Sequence, residues 1–220
     1  MKITVLVPTL TRFDLLDRFI ISLNKQTKKA DKLIIIDNSN GQCYQYPGAD
    51  IVKANNIGVA GAWNIGLKKA DPNGLLIICN DDNVLKPNAI EELVKLAENN
   101  PEAPFLGSAG GGFSFFALRP KLAIENVGYF DEGFFPAYYE DNDYHYRMKL
   151  AGYDNFICTD KELYEMGVDG NASQTVNGIQ TPDIIKEYIH AGFKSNQYRY
   201  ICKWGGLPGK EKFDKPFNQE

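Results

Sequence analysis

Residues 75–83 read LLIICNDDN: five apolar residues run straight into two adjacent carboxylates, Asp81 and Asp82, flanked by asparagines. A short apolar run of this kind, bounded by turn formers, is the pattern of a fully buried strand. Two like charges side by side at its end cost energy unless something positive stands between them and water. The apolar part of the stretch decides the architecture, and the acidic part poses the chemical question.

Working outward, strand and helix signals alternate. Ile3–Val7 is a short apolar strand closed by Pro8, and Leu15, Leu16, Phe19, Ile20 and Leu23 follow at helical spacing over Phe13 to Asn24. Leu33–Ile36 is a second strand, ending in the turn formers Asp37-Asn38-Ser39-Asn40-Gly41. A weaker strand at Ile51–Lys53 precedes a helix from about Val59 to Lys69, and the strand Leu75–Cys79 precedes one from Pro87 to about Glu98. This alternation predicts an α/β fold with right-handed crossovers and a mostly parallel sheet carrying helices on both faces. Ligands of such sheets bind beyond the carboxyl ends of the strands. Three of those ends are polar, at residues 9–12, 37–41 and 80–83, which puts the candidate chemistry on one rim.

The second half is less regular. Gly110-Gly111-Gly112 leads into an aromatic strand, Phe113–Phe116, and Glu140–Ala151 is helix-like. The tail after about Lys194, with WGGLPGK and PF, suits an extended, packed arm. One domain over residues 1–193 followed by an arm over 194–220 is the expected organisation, with no interdomain linker.

Bulk properties narrow the classes. A net charge of −4 argues against a sequence-independent nucleic-acid surface, which needs a basic stripe. Nothing approaches the roughly 18 apolar residues of a membrane span, and the opening MKITVLVPTLTR does not read as a signal peptide. Cys43, Cys79, Cys158 and Cys202 form no C-x-x-C pair and are expected to be free thiols in a reducing compartment, the cytoplasm. The triplet Asn171-Ala172-Ser173 matches a glycosylation sequon, but nothing else suggests secretion.

Three constellations carry possible chemistry. Asp81 and Asp82 could cap a helix, although Asn83-Val84-Leu85-Lys86 separates them from the helix start at Pro87. Alternatively, their oxygens suit Mg²⁺ or Mn²⁺, which takes one or two carboxylates and completes its shell with phosphates and water. Glu140, Asp141 and Asp143 crowd the start of a helix between aromatic residues. They are either a dipole-favoured acidic first turn or a partly desolvated general base. Finally, NNIGVAGAWNIG, residues 55–66, is a Gly- and Asn-rich helix start that fits neither the G-x-G-x-x-G nor the P-loop pattern.

Together these segments resemble the family-2 glycosyltransferases of the GT-A fold. VPTLTR resembles the family's opening strand, Ser22-Leu23-x-x-Gln26 its first helix, and Asp37-Asn38-Ser39 its nucleotide motif. NNIGVAGAWNIG resembles its N-x-G-x-x-x-A-x-N-x-G segment, NDDN stands at its D-x-D position, and GYFDEGFF…YYEDNDYHYRMKLAGY resembles its late acidic pattern. The resemblance spans roughly residues 3 to 153, in order.

It implies a single GT-A domain with a nucleotide-sugar half over 1–100 and an acceptor half over 101–193. It implies a nucleoside diphosphate sugar donor, most often a UDP-sugar, and a glycan or glycolipid acceptor read by residues 110–116 and 134–139. By the same resemblance, Thr9, Arg12 and Asp37 contact base and ribose, with Pro8, Asn38 and Asn56 among the donor-binding positions and Asn64 near the sugar or diphosphate. Asp82 holds Mn²⁺ or Mg²⁺, and Asp81 or Asn83 contacts the sugar or ribose, the Asp-Asp-Asn spelling leaving Asp81 as a second candidate ligand. Asp141 deprotonates the acceptor hydroxyl, supported by Glu140 and Asp143.

Three departures stand out. The spelling is Asp-Asp-Asn rather than Asp-x-Asp. No His follows around residues 166–173, where Asp169 is the available substitute. No Q-x-x-R-W motif follows the acidic cluster, which with no membrane span argues against a processive synthase. Lys203 reads either as a phosphate contact or as a solvated neighbour of a packed Trp204.

The competing classes are a sugar-1-phosphate nucleotidyltransferase, a phosphoreceiver domain and a non-catalytic sugar-nucleotide-binding module. VPTLTR lacks the glycines of the first, the acid pair does not follow the first strand as in the second, and the intact Glu140-Asp141-x-Asp143 argues against the third.

Overall fold

Strand β1 (Ile3–Thr9) alternates its side chains between two apolar layers, and the whole fold is organised around that alternation. It is parallel to β2 (Lys32–Asp37) on one side and to β4 (Leu75–Cys79) on the other, while β3 (Ala49–Lys53) extends the sheet beyond β2. The computed structural model describes residues 1–110, 112–166 and 180–219.

Within those residues the remaining strands and α-helices are α1 (Phe13–Asn24), α2 (Gly58–Lys69), β5 (Asn83–Leu85), α3 (Ala89–Asn99), β6 (Phe105–Gly107), β7 (Phe115–Leu118), α4 (Pro120–Asn126), α5 (Glu140–Leu150), β8 (Ile157–Cys158), β9 (Tyr164–Met166) and α6 (Asp183–Trp204). The main sheet has the order β3-β2-β1-β4-β7-β6-β8, and β5 pairs with β9 in a separate ribbon. β7 runs antiparallel to both β4 and β6, so the parallel nucleotide-binding-type half joins an antiparallel extension.

Val5, Val7, Ile35 and Ile77 face one side and pack on Leu16 and Phe19 of α1 and on Ile90 and Leu93 of α3. Leu6, Ile34 and Ile78 face the other and pack on Trp63 and Leu67 of α2, with Tyr144 and Met148 of α5 behind them. All five residues of β4 are buried, as its uninterrupted apolar sequence requires. The expected α/β sheet with helices on both faces is what the chain adopts.

The C-terminal region differs from the expectation of an extended arm starting near Lys194. Residues 183–204 form one helix of 22 residues, so position 194 falls inside α6. Its buried positions are Ile189, Asn196, Tyr200, Lys203 and Trp204. Two of these are polar, and so the apolar repeat that advertises a helix is interrupted in the sequence. α6 ends at Gly205, in the left-handed conformation that glycine adopts without steric cost, and only the chain beyond it is arm-like. That arm folds back, with the amides of Lys212 and Phe213 donating to the Trp204 carbonyl.

Candidate active site

Beyond the carboxyl ends of β1, β2 and β4 lies a cavity of about 340 Å³, within the size range of small-ligand sites. Pro8 and Thr9 line it from β1, Asn38 from the turn after β2, and Asp81 and Asp82 from the turn after β4. Glu140 and Asp141, at the start of α5, line it as well, with Asn56 and Gly58 at the entry to α2.

The turn after β4 is built to hold its acids. The Asn80 amide donates to the Ser114 carbonyl, and the Asn83 side-chain amide donates to the same carbonyl at 2.6 Å. The Thr9 hydroxyl donates to Asp81 Oδ2 at 2.8 Å, tying two strand ends together. Asp81 and Asp82 are both buried, and Asn83 Oδ1 is buried with no hydrogen-bond partner. Strand β5 intervenes between the pair and α3, whose cap is Asn88. The carboxylates therefore cap no helix, which removes the first of the two readings of the pair.

Part of the positive charge they need comes from Arg12. Its guanidinium is held above its ordinary value first by hydrogen bonds to Asp14, against the effect of burial, and further by the charges of Asp14, Asp81 and Asp82. Arg12 is buried and does not line the cavity, and its charge acts on the acid pair from behind.

At the start of α5, Asp141 accepts a hydrogen bond from the Asn142 amide at 2.8 Å. Burial raises its carboxyl above the ordinary value, with neighbouring amides opposing. Glu140 is pushed well above its ordinary value by burial first and by the charge of Asp141 second. One Glu140 oxygen, Oε2, is buried without a hydrogen-bond partner. Two adjacent carboxyls both held above their ordinary values are characteristic of sites that move protons.

Asp143 turns the other way. It is fully buried, accepting hydrogen bonds from Arg147 Nε at 2.9 Å and Trp204 Nε1 at 2.8 Å, with Lys203 Nζ at 2.6 Å. Lys203 is itself buried and also contacts Asp131 at 2.8 Å. The sequence offers a phosphate contact or a solvated lysine; the lysine is not solvated, and it lies between the buried carboxylate of Asp143 on α5 and the part-buried one of Asp131 in the loop before it.

Asp37 and Asn64 each brace local structure. Asp37 is fully buried, with its carboxylate accepting from the Ser39 amide and hydroxyl and from the Cys43 amide. Asn64 holds the 130–132 segment, donating to Phe130 O and Glu132 Oε1 and accepting from the Phe130 amide. Of the residues singled out in the sequence, Pro8, Thr9, Asn38, Asn56, Asp81, Asp82, Glu140 and Asp141 meet on the cavity, whereas Arg12, Asp37, Asn64 and Asp143 do not line it.

The remaining wall is apolar. Trp63 and Phe113 stack with centroids 6.0 Å apart, and Met166 and Ile189 close the side toward α6. Phe113, Ser114 and residues 136–138 come from the two segments expected to read an acceptor. Trp63 lies within NNIGVAGAWNIG, on α2. Met166 and Ile189 carry no local signal, since their place depends on β9 and α6 packing across the rim. Asp169, Gly111 and the Asn171–Ser173 sequon lie outside the described residues.

Among the described residues there is no group of three or more His, Cys, Asp or Glu side chains able to hold a metal. Two hard carboxylate oxygens on a strand-end turn remain a fit for Mg²⁺ or Mn²⁺ when the other ligands come from phosphate and water. No helix of the described residues is long and apolar enough to cross a membrane.

The family model for glycosyl transferase family 2 matches residues 4–154. An uncharacterized glycosyltransferase of Bacillus subtilis, YwdF, is 27% identical over 152 residues, covering 63% of this chain and 55% of its own. A galactofuranosyl glycosyltransferase of Leishmania donovani is 54% identical over only 42 residues, 19% of this chain and 9% of its own. The chain thus spans little more than half the length of these curated relatives, or less. Among solved structures, S. aureus TarS residues 1–349 in complex with UDP-GlcNAc superposes with a TM-score of 0.59 at 14% identity, covering 91% of this chain and 73% of that one. The mannosyltransferase PcManGT from Pyrobaculum calidifontis, in complex with GDP-Man and Mn²⁺, gives 0.61 at 14% identity, covering 90% and 71%. At such identities the likeness speaks for the fold.

Proposed function

The chain belongs to glycosyl transferase family 2, and on that premise we propose that it is an inverting, metal-dependent glycosyltransferase. It moves a sugar from a nucleoside diphosphate sugar, foremost a UDP-sugar, to a hydroxyl of a glycan or glycolipid. The observation that carries this reading is the meeting of two acid pairs, Asp81–Asp82 and Glu140–Asp141, on the lining of one cavity.

Asp141 is the general base. Its raised but opposed proton affinity leaves it able to accept the acceptor's proton as the hydroxyl attacks. Glu140, whose proton affinity burial and the Asp141 charge raise, resists adding a second negative charge to the buried corner. Asp82, with Asp81 beside it, would hold Mn²⁺ or Mg²⁺, and the bound ion supplies charge neutralisation for the departing diphosphate. Thr9 fixes the Asp81 carboxylate through its hydrogen bond. Pro8, Asn38 and Asn56 border the donor. Displacement in one step from the face opposite the diphosphate inverts the sugar and requires no covalent nucleophile.

We assign the donor half to residues 1–100 and the acceptor half to residues from 101 onward, with α6 included in the latter. The four free cysteines fit a reducing, cytoplasmic setting. The UDP-GlcNAc and GDP-Man and Mn²⁺ complexes of the structural neighbours support a nucleoside diphosphate sugar and a divalent ion as the ligands to try first. The test is nucleoside diphosphate release across a panel of UDP-, GDP- and dTDP-sugars, with and without Mn²⁺. Release from one donor that requires the ion is expected; release from none, with no metal-enhanced donor binding, would sink the reading.

A further inference from the structure

Asp141 is aimed by a turn that its own sequence disfavours. Tyr138 and Tyr139, directly before α5, both have positive φ, at 74° and 71°. Bulky L-residues avoid this region because Cβ crowds the backbone. Two in succession persist only where the surroundings over-determine them. The helix start itself offers no help, since Tyr139 caps α5 without a side-chain hydrogen bond.

The restraint comes from α6. Asn196 is 2% exposed, and its side-chain Nδ2 donates to Ala137 O at 2.9 Å and to Tyr138 O at 3.0 Å. One helical turn earlier, Gly192 lets α6 lie against the same segment, for a Cβ there would stand 2.4 Å from Pro136 Cδ. Gln197 adds a bond from its amide to the Tyr139 hydroxyl at 2.8 Å. Ala137, Tyr138, Glu140 and Asp141 line the cavity and Asn196 does not.

We propose that Asn196 is a positioning residue: its amide clamps the left-handed Tyr138–Tyr139 turn and thereby sets where the Asp141 carboxylate stands in the cavity. The proposal rests on Asp141 being the base. Without the clamp the turn relaxes toward negative φ, and the start of α5 swings the carboxylate off its line to the acceptor. Donor contacts at Thr9, Asn38 and the Asp81–Asp82 turn lie on other elements and stay in place.

The test uses the full chain and the donor that the wild type turns over with Mn²⁺. For Asn196→Ala, kcat is expected to fall roughly 10- to 100-fold, while donor KM stays within about twofold of wild type. A crystal structure of the variant is expected to show positive φ lost at Tyr138 or Tyr139. Asn196→Asp, which keeps the shape and loses the donor, should behave alike and serves if the alanine variant does not fold. The decisive comparison adds Tyr138→Gly or Tyr138→Ala to Asn196→Ala. Both remove the ring, but only glycine takes positive φ freely, so only the glycine double variant should regain kcat. Equal kcat in the two double variants, or a joint loss of kcat and donor affinity in the single variant, overturns the proposal. If the wild type turns over no donor, the functional reading fails; the Asn196→Ala structure still decides the clamp, and a turn left-handed at both residues overturns it.

Discussion

The Lys203 ammonium stands 2.6 Å from Asp143 Oδ1, the two side chains being 7% and 0% exposed, and this pair joins the C-terminal helix to the helix that carries Glu140 and Asp141. Trp204 donates to the same carboxylate oxygen and Arg147 to the other. Such a pair, once buried, is costly to break from one side, because the surviving charge has no water to return to.

Lys203→Met is therefore expected to destabilise the fold by about 3–5 kcal/mol. Urea unfolding measures it, and Asp143→Asn should cost a comparable amount. The double variant should cost clearly less than the sum, since each single change strands the other's charge. Additive losses would mean that the pair does not act as a unit.

Asp141→Asn removes the proton acceptor and keeps the shape. Turnover should drop by about 10²- to 10⁴-fold, with donor affinity by calorimetry unchanged. A variant that still transfers at near wild-type rate would move the base elsewhere.

Asp82→Asn should weaken donor binding in the presence of Mn²⁺ and leave the metal-free affinity little altered. Calorimetric titration of the donor with and without the ion separates the two. Metal dependence that survives in Asp82→Asn but disappears in Asp81→Asn would transfer the ligand role to Asp81, in spite of its hydrogen bond from Thr9.

Glu140 makes a pH prediction of definite sign. Burial, then the Asp141 charge, raises its folded value well above the ordinary 4.5. Between those two values the native state holds a proton that the unfolded chain has released, so stability declines as pH rises through the window. Asp131 acts oppositely: burial would raise it, but Lys203 and Arg199 bring it to about 2 from 3.8. Its contribution is present above 3.8 and is lost as pH falls toward 2. Chemical unfolding from acid to weakly alkaline pH should show Glu140→Gln flattening the upper slope and Asp131→Asn the lower one. A Glu140→Gln profile parallel to wild type above pH 4.5 would contradict the raised proton affinity of the buried carboxyl.

The parallel half of the sheet was legible because its signals are local. Ile3–Val7, Leu33–Ile36 and Leu75–Cys79 each state their own burial through an apolar run, and the helices between them repeat every three or four residues. The same locality exposed the polar rim, where strand ends must carry turn formers, and the two acid pairs upon it. Which way each rim side chain points was not local. Arg12 and Asp37 occupy the expected strand ends, yet one backs the acid pair and the other braces its own turn. Asp143 sits two residues from Asp141 but, on a helix, that spacing sends it to a different face, where Lys203 and Trp204 wait.

Helix α6 was hidden for a related reason: its buried face includes Asn196 and Lys203, polar residues that read as surface until their partners are known. By itself, the sequence determined the strands, the rim and the acids, because hydrophobic burial and turn formation are decided within a few residues. Only the tertiary structure decided which of those polar groups face the cavity, because a buried hydrogen bond or ion pair needs a partner, and here the partners lie far along the chain.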